Sequence, residues 1–116
     1  QAINLIGLNA LRSALLGVMI KEYLVGDDKI ASKNYKELWA HNLLCAILAQ
    51  EIAQKTFPEL KNTSFVAGLL HDMGKSVIMD VFPEKYDQIK ESQDKLKISQ
   101  FEAEQKLLGT NHSLVG

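Results

Sequence analysis

Only two prolines, Pro58 and Pro83, interrupt the 116-residue chain, and both fall where a helical pattern pauses. No segment alternates with period two, no Asn-Gly or Asp-Gly hairpin signal occurs, and no repeat or low-complexity tract is visible. The chain therefore reads as all-α. A first helix is expected from Ala2 to Leu24, with Leu5, Leu8, Leu11, Leu15, Val18 and Met19 at helical spacing, followed by a loop over Gly26–Lys33. A second helix is expected from Asn34, read as its N-cap, to Phe57. After a turn in PELKN, a third helix starting at Thr63 or Ser64 carries FVAGLLHDMGKSVIMDVF without interruption. Gly74 inside it permits close approach of a neighbour or a local bend.

Beyond Pro83, EKYDQIKESQDK reads as a polar, solvated helix. ISQFEAEQKLLG reads as another, with Ser99 as N-cap, Glu102 at capping-box spacing and Gly109 as its stop. Asn111 or Thr110 caps a last helix. Short connections point to a compact bundle of about five to six helices in one domain. That domain spans residues 1–116, with both ends read as cut from a longer protein.

Composition narrows the function classes. The chain is 47% hydrophobic, enough to build a core, so disorder is not expected. Its formal charge is -1, and only Arg12 among thirteen basic residues is arginine. Neither a nucleic-acid nor an anionic-membrane partner is implied, because both need a basic excess. Guanidinium clamps for phosphates are nearly lacking. The apolar stretch Leu5–Ile20 is broken by Asn9, Arg12 and Ser13, which argues against a membrane span, and no basic leader with a cleavage site precedes it. Cys45 is the sole cysteine, so no internal disulfide forms and a reducing, cytoplasmic setting is expected.

The three histidines are the candidate chemistry. His41 shares a helix face with Leu38, Cys45, Leu48 and Ile52; it is either a core histidine satisfied by one hydrogen bond or a ligand. His71, Asp72 and Lys75 share one arc of a continuous helix, cleared by Gly68 and Ser64, while Val66, Leu69, Leu70, Met73 and Val77 form the buried arc. An imidazole and a carboxylate side by side can converge on a divalent ion. Against this stands a simple surface ion pair of Asp72 with Lys75. His112 is either a helix-start histidine kept neutral by the dipole or an exposed loop residue. Taken together, the histidines and Asp72 supply four ligands from different helices, an inner shell suited to Mn, Fe or Zn. Trp39 and Phe65 read as core or seam aromatics, and Cys45 as a small buried apolar filler.

GLLHDMGK, with a helical histidine in WAHNLLCA thirty residues upstream, resembles the HD superfamily of metal-dependent phosphohydrolases. More narrowly, the chain resembles the HDOD family, a bacterial signalling output domain. The features that carry this are AINLIGLNALRSALL, the aromatic-x-His helix, AGLLHDMGKSVIMDVFP and FEAEQKLLGTNHSLVG, in order along nearly the whole chain. The resemblance implies an HD-like helical fold. It implies metal ligation by His41, His71 and Asp72, with His112 as an additional ligand and Lys75 as the lysine after the HD motif. In an active member, Asp72 and Lys75 would take part in catalysis. The distal aspartate of active HD proteins has no counterpart in a matching context at Asp80, Asp87 or Asp94, and no Gly-Tyr-Pro motif is present.

Three functional readings follow. The first is a non-catalytic signalling module with an eroded metal site, acting through protein partners or adjacent signalling domains. The second is a metal-dependent phosphohydrolase in which Lys75 steadies a phosphoryl oxygen. The third is a structural metal site without turnover. The incomplete ligand set and scarce arginine favour the first.

Overall fold

The computed structural model describes residues 15, 17–19, 22 and 33–116. The expected helix over Ala2–Leu24 and the loop after it lie almost wholly outside the described residues, although residues 15, 17–19 and 22 are helical. From residue 33 onward come α1 (Lys33–Thr56), a 3-10 turn (Pro58–Leu60), α2 (Lys61–Leu70) and α3 (Met73–Val81). They are followed by α4 (Pro83–Leu96), α5 (Gln100–Leu108) and α6 (His112–Val115). The fold is all-α, with no strand among the described residues. No described helix is long and apolar enough to cross a membrane. The chain divides into two compact units between His71 and Asp72.

In the first unit α1 packs on α2. Ala46, Phe65 and Leu69 form the buried cluster, with Trp39, Leu43 and Val66 packed against it, as expected for both aromatics. The crossing is close because Gly68 has no side chain. A Cβ there would stand 2.7 Å from the Ala46 Cα and 2.9 Å from its amide nitrogen. α1 buries Tyr35, Asn42, Ala46 and Ala53. The stripe read from His41 is therefore not the core face: Leu48 and Ile52 on it are 52% and 63% exposed. The small residues at Ala46 and Gly68 decide this, since only there can two helix backbones approach. Asn34 lies within α1, which already includes Lys33, so it is not the N-cap. Pro58 opens the 3-10 turn where its missing N–H costs nothing, and α2 starts at Lys61, two residues ahead of the expected Thr63.

The helix expected to run unbroken through GLLHDMGK is two helices. His71 and Asp72 form a turn, and Asp72 adopts φ -108 and ψ 20, outside the helical region. The Lys75 amide donates to the Asp72 carbonyl at 2.9 Å, starting α3 afresh. The break resets the helical phase, so the single arc of His71, Asp72 and Lys75 does not exist. The same reset leaves Val77, expected in the core, 39% exposed, while Ile78 and Met79 are buried.

In the second unit α3 packs against α4 and α6, and α4 against α5. Ile78, Met79, Tyr86, Ile89 and Ala103 are its buried apolar residues. α4 is thus not wholly solvated: Tyr86 and Ile89, three residues apart on one face, are 4% and 0% exposed. Gly74 fulfils the close-approach reading. A Cβ there would run into the His112 carbonyl and stand 2.9 Å from the Gly116 nitrogen. Local capping matches the sequence. Ser99 accepts from the Glu102 amide, the Glu102 carboxylate accepts from the Ser99 amide, Gly109 closes α5 at φ 70, and Asn111 accepts from the Leu114 amide.

The capping box carries a pH prediction. The Ser99 amide and then its hydroxyl donate to the Glu102 carboxylate and hold its pKa below the ordinary glutamate value, with Lys106 adding a smaller pull in the same direction. A carboxyl lowered in the folded state contributes stability that is present above its unfolded pKa and is lost as pH falls through the folded one. Side-chain NMR titration should place the Glu102 midpoint below that of a model glutamate, and Ser99→Ala should move it upward. Loss of that N-cap should cost about 1 kcal/mol by urea denaturation at neutral pH.

Candidate functional site

The first unit contributes His41, Cys45 and His71. One turn of α1 places His41 and Cys45 on the same face, with His41 Nε2 3.7 Å from Cys45 Sγ. α2 delivers His71 at its C-terminal end, and the two imidazole rings lie 5.2 Å apart between centroids, tilted by 52°. One donor atom from each of the three residues falls within 4.8 Å of the others. Both histidines are exposed and Cys45 is half-buried. His41 is therefore not a core histidine, and Cys45 is not a buried filler. The reason is the packing just described: the Ala46 face of α1 turns inward, and His41 and Cys45 lie off it.

His71 Nδ1 donates to the Gly68 carbonyl at 2.7 Å. That bond orients the ring in the way that metal-ligating histidines are usually oriented.

The second unit contributes Asp72, Lys75, Glu104 and His112. Asp72 stands at the N-cap position of α3, yet its carboxylate does not cap the helix. It accepts instead from Lys75 Nζ at 2.5 Å, with the two side chains 8% and 17% exposed. The Asp72–Lys75 pair is therefore internal and not the surface ion pair weighed against it. The other Asp72 oxygen faces His112 Nε2 at 3.8 Å.

His112 is not a solvated loop residue, its side chain being 13% exposed. It opens α6, and its orientation is set by a residue that the sequence reading passed over. Glu104, fully buried on α5, accepts from the His112 backbone amide at 2.8 Å and from its ring Nδ1 at 2.6 Å. Gln100 Nε2 donates to the other Glu104 oxygen at 2.8 Å. The Glu104 carboxylate thus holds the ring with Nε2 turned to Asp72. The available signal was a glutamate beside Ala103 on a short amphipathic helix, eight residues before the histidine.

Of the sequence-selected residues, the structure pairs His41 with His71 in one unit, and Asp72 with Lys75 and His112 in the other. The donor chemistry suits a divalent ion: two imidazoles with a thiol in the first unit, a carboxylate with an outer-carboxylate-bound imidazole in the second.

An all-helical chain with a His-Asp pair at a helix junction and histidines on flanking helices is HD-like in class. The sequence matches the family model of the HDOD domain over residues 1–116, and the chain belongs to that family. No curated protein and no solved structure gave a match.

Proposed function

We propose that this chain is a regulatory HDOD module of bacterial signalling, cytoplasmic and non-catalytic, working through protein partners or adjacent signalling domains. His41, His71, Asp72 and His112 are its inherited ligand set. The non-catalytic reading rests on a ligand set with no distal aspartate in a matching context at Asp80, Asp87 or Asp94, and the Lys75–Asp72 pair at 2.5 Å between largely buried side chains supports it. A carboxylate neutralised by an internal ammonium is a poorer cation ligand than an open one, because its charge is already compensated. The same pair is short enough to be a charge-assisted hydrogen bond and so holds Asp72 in place.

A second reading has its own support. His71 and His112 each donate from Nδ1 to a protein oxygen, the Gly68 carbonyl and the Glu104 carboxylate. This is the outer support that metal-ligating histidines use. A divalent ion bound to histidines supported in this way would supply Lewis acidity and a water of lowered pKa. On that reading Lys75 is the group that steadies an anionic oxygen.

Assay of the protein with a generic phosphomonoester and a phosphodiester, in the presence of Mn, Fe or Zn, separates the two. The expected result is no turnover above the metal-only blank, while His71→Ala lowers stability or partner binding. Turnover that disappears in Asp72→Ala would overturn the regulatory reading in favour of a phosphohydrolase.

A further inference from the structure

We propose that Cys45 is a metal ligand, and that His41, Cys45 and His71 together form a zinc site whose thiolate selects Zn over Mn or Mg. The site deepens the reading of an inherited metal centre but stands whether or not the module turns over any substrate.

The argument starts from spacing. His41 and Cys45 are four residues apart on one helix, the separation at which two helical side chains present donors to one ion. Zinc bonds of about 2.0–2.1 Å to nitrogen and about 2.3 Å to sulfur, at tetrahedral angles, put donor atoms roughly 3.3–3.7 Å apart. The 3.7 Å between His41 Nε2 and Cys45 Sγ meets that requirement. The remaining separations, none above 4.8 Å, close by small side-chain rotations.

The third donor is held in place. The Gly68 carbonyl accepts from Nδ1 and orients the His71 ring. Gly68 is also where α2 rests on α1: a Cβ there would lie 3.0 Å from the Cys45 carbonyl carbon. The backbone contact that positions His71 is thus made against the residue that carries the thiol. This support favours binding, since one of the three donors is oriented before the ion arrives. Three protein donors leave one position to water, a common zinc arrangement.

Donor chemistry decides the metal. Two imidazoles and a thiolate form a soft to borderline set that prefers zinc, whereas Mn and Mg favour carboxylate and water oxygens. Cys45, the sole cysteine, has no disulfide partner within the chain.

The test is a titration of the purified protein with Co(II), then Zn(II), with Mn(II) as competitor. The wild type should give a near-ultraviolet thiolate-to-cobalt charge-transfer band, removed by one equivalent of zinc and untouched by manganese. Zinc should also slow alkylation of Cys45. Cys45→Ser should lose the band and bind zinc at least ~10–100-fold more weakly, a loss that removing even an outer-shell partner produces. Circular dichroism of the variant checks that its helices are intact, and the alkylation assay on the wild type needs no variant at all. Failure to bind cobalt or zinc, cobalt binding without the band, unaltered alkylation with zinc, or equal zinc affinity in Cys45→Ser would each overturn the proposal. None of these outcomes bears on phosphoester turnover, so the site and the regulatory reading fail separately.

Discussion

Glu104→Ala should destabilise the protein by about 3–5 kcal/mol in urea denaturation, the cost of removing one partner from a buried, hydrogen-bonded ionisable network. The side chain is fully buried and satisfies two donors of His112 and one of Gln100. Alanine would leave the His112 amide, its ring N–H and the Gln100 amide without their acceptor, and a donor deserted in a buried setting costs about 1–3 kcal/mol, less where, as here, it is half-buried. Glu104→Gln separates charge from shape. It keeps one carbonyl oxygen for His112 while introducing an N–H₂ where an acceptor is needed, so it should fall between wild type and alanine. The His112 Nδ1 proton resonance, protected by the 2.6 Å bond in the wild type, should exchange rapidly in Glu104→Ala. A stability change under 1 kcal/mol, with that resonance unmoved, would show that Glu104 does not position His112.

Lys75→Ala is the second large effect. Asp72 and Lys75 are nearly buried and bonded at 2.5 Å. Removal of the ammonium takes the counter-charge from a nearly buried carboxylate that also lies 3.8 Å from His112 Nε2, and should cost about 3 kcal/mol or more. The comparison that isolates the pair is the double variant Asp72→Asn/Lys75→Met. It removes both charges together and should be more stable than Lys75→Ala alone, because the penalty lies in the unpaired charge and not in the loss of the bond. Additive losses in Asp72→Asn, Lys75→Met and their double variant would mean that the pair carries no coupling.

These two networks also show what a reader of the sequence can and cannot reach. The capping of α5 and α6 was legible because it is local. Ser99 and Glu102 lie three residues apart, Gly109 adopts the left-handed conformation that glycine tolerates, and Asn111 reaches its own helix start. The HD pair and its flanking histidines were legible as a pattern of residue types at set separations. Glu104 was not. In sequence it is one more acid in a polar-looking helix, and only the return of the chain at Gly109 brings His112 over it. The half-buried setting of Cys45 was not legible either, for a related reason. Its character as filler or ligand depends on which face of α1 turns inward, and that was decided by the contact of Gly68 with Ala46 on another helix.

The amino-acid sequence by itself determined the all-α class, most helix ends near and beyond Pro83, and which side chains carry chemistry, because period, caps and residue type act within a few positions of one another. The tertiary structure alone decided that the helix breaks at His71–Asp72, that Asp72 bonds Lys75 in place of its own helix start, and that buried Glu104 holds His112. These follow from packing and desolvation among residues distant in the chain, where a backbone contact at one glycine or the burial of one carboxylate outweighs local preference.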